Sequence, residues 1–201
     1  MLFRTQIRPA VLWTIGTPLL LALAWTAHAR SLVWHDSETL YRDALTKNDR
    51  SVVMHFNLGH LEQERGNSDA ALKEYQRALS LDPHYAKALT NLGVLYKDRG
   101  ETEKALEELR LAIESDPAYP VPHNDIGSIL LDRDNVDAAI AEFRAAIALD
   151  ATYAQAHINL ATAYGRKGMY KEGLEEFKKA FDADPHALDS LPEIRRALEN
   201  F

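Results

Sequence analysis

The chain has 201 residues, 46% hydrophobic and 26% charged, which is the composition of an ordinary folded protein of one or two domains. Its formal net charge of -7 and the lack of any Lys/Arg run argue against a nucleic-acid-binding surface. The sequence has no cysteine, which excludes a disulfide framework and a thiolate metal site.

Residues 1–30 are far more apolar than the rest of the chain. Arg4 and Arg8 precede an uncharged segment, residues 9–29, which as a helix would span about 30 Å, the thickness of the bilayer hydrocarbon core. This segment is either a retained membrane helix or a cleaved secretory signal. Ala27-His28-Ala29 fits a cleavage site, whereas the length of the segment and Pro18 argue against a signal core. Either way, the positive-inside rule places the following residues outside the cytoplasm.

A tripeptide recurs along the rest of the chain at one fixed interval, as Asn57-Leu58-Gly59, Asn91-Leu92-Gly93, Asp125-Ile126-Gly127 and Asn159-Leu160-Ala161. Further positions recur in the same register: a small residue (Ala71, Ala105, Ala139, Gly173), a large one (Tyr75, Leu109, Phe143, Phe177) and an alanine (Ala78, Ala112, Ala146, Ala180). The spacing within each unit is helical, so the sequence predicts four helical hairpins, at about residues 52–85, 86–119, 120–153 and 154–187.

Local residues predict how each hairpin is built. The small residues should let its two helices touch, and Gly66, with its equivalents at residues 100, 134 and 168, should end the first helix in a left-handed conformation. Pro120 and Pro122 fall in the first turn of the third hairpin. We therefore expect a distorted, looser third hairpin that keeps its first helix.

The segments that flank the hairpins also have a helical pattern. In residues 31–49, Tyr41 and Ala44 lie one repeat length before Tyr75 and Ala78, so this segment predicts a half repeat that covers the first hairpin. After the last hairpin, residues 188–201 predict a capping helix, because one apolar stripe contains Leu188, Leu191, Ile194 and Leu198.

The repeat resembles the tetratricopeptide repeat (TPR) family in the interval between successive copies and in its recurring residues, which are Leu-Gly, Tyr, Ala, Phe, Ala and Pro. This resemblance implies an all-α solenoid, a right-handed superhelix whose first helices line a concave groove. It also implies that the groove binds a protein or an extended peptide.

A second resemblance covers about residues 10–65. An apolar helix, then Trp34-x-Asp36-Ser37-x-x-Leu40-Tyr41, then His55-x-Asn57 is similar to the junction between the last membrane helix and the repeats of the transmembrane and TPR-containing O-mannosyltransferase family. In that family the chemistry resides in many preceding membrane helices, so no transferase activity is carried over to this chain.

The TPR resemblance implies a peptide-binding groove with a ladder at one position, formed by Asn57, Asn91, Asp125 and Asn159. An Asn amide offers two donors and an acceptor, so it can bind a peptide backbone in either direction. The TPR array of the O-linked N-acetylglucosamine transferase uses a similar ladder on extended polypeptide; the alternative is that Asn is simply common at this position. The other residues that we expect in the groove are Phe56, His60, Lys87, Asn124 and Ile158.

The sequence contains no pattern that indicates chemistry. His55, His123 and His157 recur at one position, but residues one or two repeats apart cannot share a metal with bonds of about 2 Å, so a helix-packing role is favoured. The chain has no nucleophile elbow, phosphate loop or His-Glu-x-x-His motif. We therefore expect no enzyme, no metal and no cofactor.

These observations predict a non-catalytic scaffold that binds a polypeptide or an assembly partner on the extracytoplasmic side of a membrane. It would be anchored by residues 9–29, or secreted if those residues are cleaved. The alternative is the substrate-docking part of a split or truncated membrane O-glycosyltransferase system.

Overall fold

A computed structural model describes residues 37–199 of the chain. This part forms ten α-helices and no strand, which confirms the predicted all-α repeat fold: α1 Ser37–Lys47, α2 Val52–Glu64, α3 Ser68–Leu81, α4 Ala86–Asp98, α5 Thr102–Ser115, α6 Val121–Asp132, α7 Val136–Leu149, α8 Ala154–Arg166, α9 Tyr170–Ala183 and α10 Pro192–Glu199. The membrane or signal segment predicted in residues 1–30 lies outside the described residues. Within them, every helix is too short or too polar to cross a bilayer.

Consecutive helices pair as four hairpins, α2 with α3, α4 with α5, α6 with α7 and α8 with α9. The second helix of each hairpin also packs on the first helix of the next, and the first helices of successive hairpins touch one another. Almost all helix contacts are therefore between neighbours in sequence, as in a solenoid. This arrangement places α2, α4, α6 and α8 side by side on one face.

Glycine allows the two helices of the first three hairpins to approach closely. A Cβ atom added to Gly59 would lie 2.7 Å from the ring of Tyr75, one on Gly93 would lie 2.8 Å from Leu109, and one on Gly127 would lie 2.6 Å from Phe143. The glycines thus face the large residue of the second helix, and not chiefly its small residue as the sequence suggested. In the fourth hairpin the glycine at the close contact belongs to the second helix. A Cβ atom added to Gly173 would lie 3.1 Å from the carbonyl oxygen of Ala161 in the first helix.

The predicted left-handed turns are confirmed. Gly66, Gly100 and Gly168 follow their first helices with φ angles of 78°, 77° and 76°, and Asp134 takes the equivalent place with φ of 60°. Aspartate is one of the few residues other than glycine that adopt this conformation readily.

The third hairpin keeps its first helix, as predicted, but it is not loose. Pro120 is the N-cap and Pro122 lies in the first turn, so α6 begins at Val121. Proline at these positions loses no helical hydrogen bond, because the first N–H groups of a helix have no partner within it. Packing further along is complete, since Ala139 and Phe143 are 0% exposed.

Helix α1 packs on the first hairpin and explains an irregular residue in it. At the position where the other hairpins have Tyr96, Leu130 and Tyr164, the first has Glu62, which is buried. Arg42 of α1 donates to its carboxylate at 3.0 Å, and Asn67 donates to the other carboxylate oxygen at 2.8 Å. The charge of Glu62 is thus compensated from the half repeat.

At the C-terminal end, the residues that cover the last hairpin begin before helix α10. Leu188 lies in the turn that precedes α10 and is fully buried against Ile158 and Ala180, with Leu191 and Ile194 packed around them. Helix α10 begins at Pro192, later than the predicted start at residue 188.

Successive hairpins are also joined by a regular series of exposed ion pairs. A basic residue in each turn reaches the start of the preceding second helix: Arg99 to Asp69 at 2.6 Å, Arg133 to Glu103 at 2.6 Å, and Lys167 to Asp137. Exposed pairs of this kind contribute only about 0–1 kcal/mol each, so apolar packing and not charge dominates the stacking.

Candidate functional site

The first helices enclose an open hollow of about 420 Å³ together with α1, and we call this hollow the groove. Its lining comes from α1, α2, α4 and the turn before α6: Tyr41, Phe56, Asn57, His60, Lys87, Asn91 and Tyr119. Five residues that the sequence assigned to peptide binding meet here, namely Phe56, Asn57, His60, Lys87 and Asn91.

The rings of Phe56 and Tyr119 form the aromatic floor of the groove, and further rings pack against Phe56. The ring of Tyr85 meets that of Phe56 edge-on at 5.4 Å, and the ring of the buried Tyr75 lies 6.0 Å from that of Phe56. Tyr119 packs against the core cluster that contains Leu89. Aromatic pairs at these separations are favourable, so the floor is a rigid apolar surface.

A second regular row is formed by tyrosines and was not predicted from the sequence. Tyr85, Tyr119 and Tyr153 are spaced by one repeat length each, shortly before the first helices α4, α6 and α8. Burial raises the pKa of all three hydroxyl groups, that of Tyr153 to about 12. The row could have been predicted from the sequence, because each tyrosine precedes a ladder residue by the same short distance along the chain.

Two ladder amides remain available to a ligand. No hydrogen bond joins the Asn57 amide to another described residue, while one N–H of Asn91 donates to the hydroxyl oxygen of Tyr75 at 3.1 Å. That hydroxyl in turn donates to Gln63 at 2.7 Å. Asn91 therefore keeps one N–H donor and its carbonyl oxygen free.

The fourth ladder residue is occupied by the protein itself. The Asn159 amide donates to Asn124 at 2.8 Å and to Ser128 at 3.4 Å, and its oxygen accepts from Gln155 at 3.1 Å. These bonds hold α8 against α6, so Asn159 is placed to pack the two helices.

Two of the predicted groove residues are buried. Asn124 is only 4% exposed, because it lies between α6 and α8 and bonds Asn159. Ile158 is 9% exposed, because Leu188 of the C-terminal segment covers that face of α8. Covering by this segment could not be read from the repeat pattern, which treats every hairpin alike.

Asp125 occupies the third ladder position in α6. Burial raises the pKa of its carboxyl group from 3.8 to about 6, although a hydrogen bond from the Asn124 amide at 3.2 Å and the charge of Lys97 act in the opposite direction. At pH 7 the carboxylate is therefore mostly ionised. No ion pair joins it to any basic group in residues 37–199.

The repeated histidines join the two helices of their own hairpins, as the sequence favoured. Nδ1 of each ring lies 2.6 to 2.7 Å from a glutamate of the second helix, in the pairs His55–Glu74, His123–Glu142 and His157–Glu176. The second hairpin has Leu89 instead of histidine, and burial raises the pKa of the corresponding Glu108.

Comparisons with known proteins agree with this architecture. Residues 56–120 match a family described as tetratricopeptide repeat, residues 127–168 match one described as TPR repeat, and residues 154–186 match a further tetratricopeptide repeat. Together the matches cover more than half of the chain, which therefore belongs to the tetratricopeptide repeat family. No protein of curated function matches the sequence.

Solved TPR structures have the same fold. TTC0263, a thermophilic TPR protein of Thermus thermophilus, is 25% identical with a TM-score of 0.69, over 91% of this chain and 98% of that one. MamA is 23% identical with a TM-score of 0.60, over 74% of this chain and 87% of its own. A chain of the APC/C hetero-tetramer Cut9-Hcn1 is 17% identical with a TM-score of 0.68, over 81% of this chain and 33% of its own.

Proposed function

We propose that the protein is a non-catalytic scaffold that holds an extended polypeptide in the groove. Asn57 and Asn91 bind the backbone of the guest, and the rings of Phe56 and Tyr119 contact its apolar side chains. The observation that carries this proposal is the pairing of two amides with free hydrogen-bonding capacity and a rigid aromatic floor in one hollow.

Each part of the groove suits a chain-like guest. Amides bind peptide groups whatever their side chains, and aromatic rings offer a large contact area at little conformational cost. A role in protein interaction also fits the family, and the Cut9-Hcn1 relative was solved within a hetero-tetramer. We expect modest affinity, since an extended guest loses conformational freedom when it binds.

The proposal places the solenoid outside the cytoplasm, tethered by residues 9–29 or released by cleavage after Ala29. Support for this placement comes from the sequence of residues 1–30 alone. N-terminal sequencing of the mature chain separates the two forms, because an anchored chain begins at its original N-terminus and a cleaved one at Arg30.

The alternative function is the docking part of a membrane O-glycosyltransferase system. The resemblance of residues 10–65 to that family's junction favours this alternative. Tyr41 belongs to the same segment and lines the groove, which favours it as well. A gene for a multi-span membrane transferase next to this one would support the alternative, and a neighbourhood without such a gene would remove its main basis.

The two free amides give a direct test of the scaffold proposal. The purified full chain in mild detergent is incubated with a randomised library of dodecapeptides, and the affinity of the retained peptides is measured by fluorescence anisotropy. Asn57→Ala/Asn91→Ala should weaken binding about tenfold, because each lost hydrogen bond is worth about 0.5–1.5 kcal/mol.

Asn159→Ala is the matched control. It removes the same amide from a ladder position that the protein already saturates. We expect it to lower thermal stability while the affinity for peptides stays within about twofold. Unchanged binding by the double variant would exclude the two amides from peptide recognition.

A further inference from the structure

The hollow that forms the groove offers many hydrogen-bond donors and few acceptors. Its polar lining consists of Tyr41, Asn57, His60, Lys87, Asn91 and Tyr119. A lysine supplies N–H donors and no acceptor, each tyrosine hydroxyl can donate, and only the two amides carry a carbonyl oxygen. Among the described residues, no carboxylate lines this hollow, although the chain as a whole has a net charge of -7.

Most of these donors are not used within the protein. Lys87 is exposed, and no carboxylate in residues 37–199 forms an ion pair with it. The amide of Asn57 and one N–H of Asn91 are also available. The nearby carboxylate of Glu64 lies 3.7 Å from the ring of His60, and both belong to α2. A peptide that fits the hollow must therefore bring more acceptors than donors.

The floor of the hollow decides which acceptors fit. It is formed by the rings of Phe56 and Tyr119, and Phe56 is held in place by the rings of Tyr85 and Tyr75. The face of an aromatic ring carries partial negative charge, so it disfavours a carboxylate and favours C–H groups. The acceptors of the peptide should thus be backbone carbonyl groups, and its side chains should be apolar.

A proline-rich segment has this combination of groups. Each proline keeps its carbonyl oxygen but has no backbone N–H. The polyproline II helix has no internal hydrogen bonds, so its carbonyl groups remain available to a partner. It is also preformed and loses less conformational freedom on binding, and aromatic-lined grooves of other domains recognise it.

We propose that the groove binds a proline-rich polypeptide segment in the polyproline II conformation. The amides of Asn57 and Asn91 and the ammonium group of Lys87 donate to its carbonyl oxygens, while its proline rings pack on Phe56 and Tyr119. This inference rests on the proposed function and names the class of polypeptide that is bound.

An acidic peptide is the competing ligand. It would pair with Lys87, but its carboxylates would gain nothing from the rings of the floor. The two ligands differ in the residues that the groove selects, so the experiment must measure residue preference and not binding alone.

The test incubates a randomised library of dodecapeptides with the purified full chain in mild detergent, and the retained peptides are sequenced. Three proteins are compared: the parent, Tyr119→Leu and Tyr153→Leu. Tyr119→Leu keeps an apolar residue but removes a ring from the floor. Tyr153→Leu is the matched control, because Tyr153 is half-buried like Tyr119 and lies one repeat further on, outside the lining of the hollow.

We expect the parent and Tyr153→Leu to enrich proline over alanine about tenfold, which corresponds to about 1.4 kcal/mol. Tyr119→Leu should lose most of this enrichment. A retained peptide synthesised again with alanine in place of each proline should bind the parent at least about tenfold more weakly. This last measurement does not depend on the folding of any variant.

Failure of the inference differs from failure of the proposed function. Peptides retained by the parent without a preference for proline, or with aspartate and glutamate enriched in its place, overturn the inference and leave the proposed function standing. The same holds if Tyr119→Leu keeps the full enrichment, or if Tyr153→Leu loses as much of it. Retention of no peptide by the parent overturns the proposed function, and this inference with it.

Discussion

At the scale of the residue, the carboxyl group of Asp125 makes folding depend on pH. Burial raises its pKa from 3.8 to about 6, so the folded protein holds this proton at pH values where the unfolded chain has released it. Between those values the folded state binds more protons, and the free energy of unfolding falls as the pH rises. This loss of stability is absent below about pH 4, and it no longer grows above about pH 6.

Replacing Asp125 with asparagine should remove this penalty. We expect Asp125→Asn to be more stable than the parent by about 1–2 kcal/mol at pH 7.5, because the shift in pKa corresponds to at most about 3 kcal/mol and solvent relaxation reduces it. At pH 4 the two proteins should differ little. Urea unfolding at both pH values measures the difference, and a variant less stable than the parent at pH 7.5 would contradict the account.

The sequence predicted individual groove residues where the repeat itself sets their environment. Asn57 and Asn91 line the groove, as their register implied. Asn124 and Ile158 do not, because their burial depends on contacts with α8 and with the C-terminal segment that no periodic pattern contains. The tyrosine row was visible in the sequence, yet spacing alone does not show that one of its members, Tyr119, lines the groove.

At the scale of the helix pair, contact distance is set by glycine. Gly127 in α6 faces Phe143 in α7 so closely that an added methyl group would lie 2.6 Å from the ring. Gly165 in α8 is also helical, but a methyl group added there would meet nothing within 4 Å. The two positions separate the effect of packing from that of helix propensity.

Alanine substitution should therefore have opposite effects at these two glycines. Gly127→Ala should destabilise the protein by about 1–3 kcal/mol, since the ring must move or the helices must separate. Gly165→Ala should stabilise it by about 0.5–1 kcal/mol, because alanine favours the helix and fits the space. Thermal or urea unfolding of both variants gives the result, and a neutral Gly127→Ala would show that close helix contact is not required.

The presence of the helices followed from the sequence, but the partners at their ends did not. The half repeat was predicted from the phase of Tyr41 and Ala44, and α1 forms there. The pattern could not show that Arg42 of this helix compensates the buried charge of Glu62, because a long-range pair leaves no periodic trace. Such pairs can be identified only from the three-dimensional structure.

At the scale of the whole molecule, repetition makes one face continuous. The repeat period fixed the number of hairpins, their turns and their stacking, since each hairpin contacts chiefly its neighbours. The period does not identify a ligand for the groove, because TPR proteins share one fold and differ in the side chains that line it. We therefore expect this face, and not the opposite one, to bind a polypeptide.

Photocross-linking can show which face of the solenoid binds a peptide. Benzoylphenylalanine is placed in the full chain either at His60, in the groove, or at Gln76, exposed on the second helix α3, and each protein is irradiated with the peptides that the parent retains. We predict peptide adducts from the His60 position and none from the Gln76 position. Adducts from Gln76, or binding without any adduct from His60, would contradict the account.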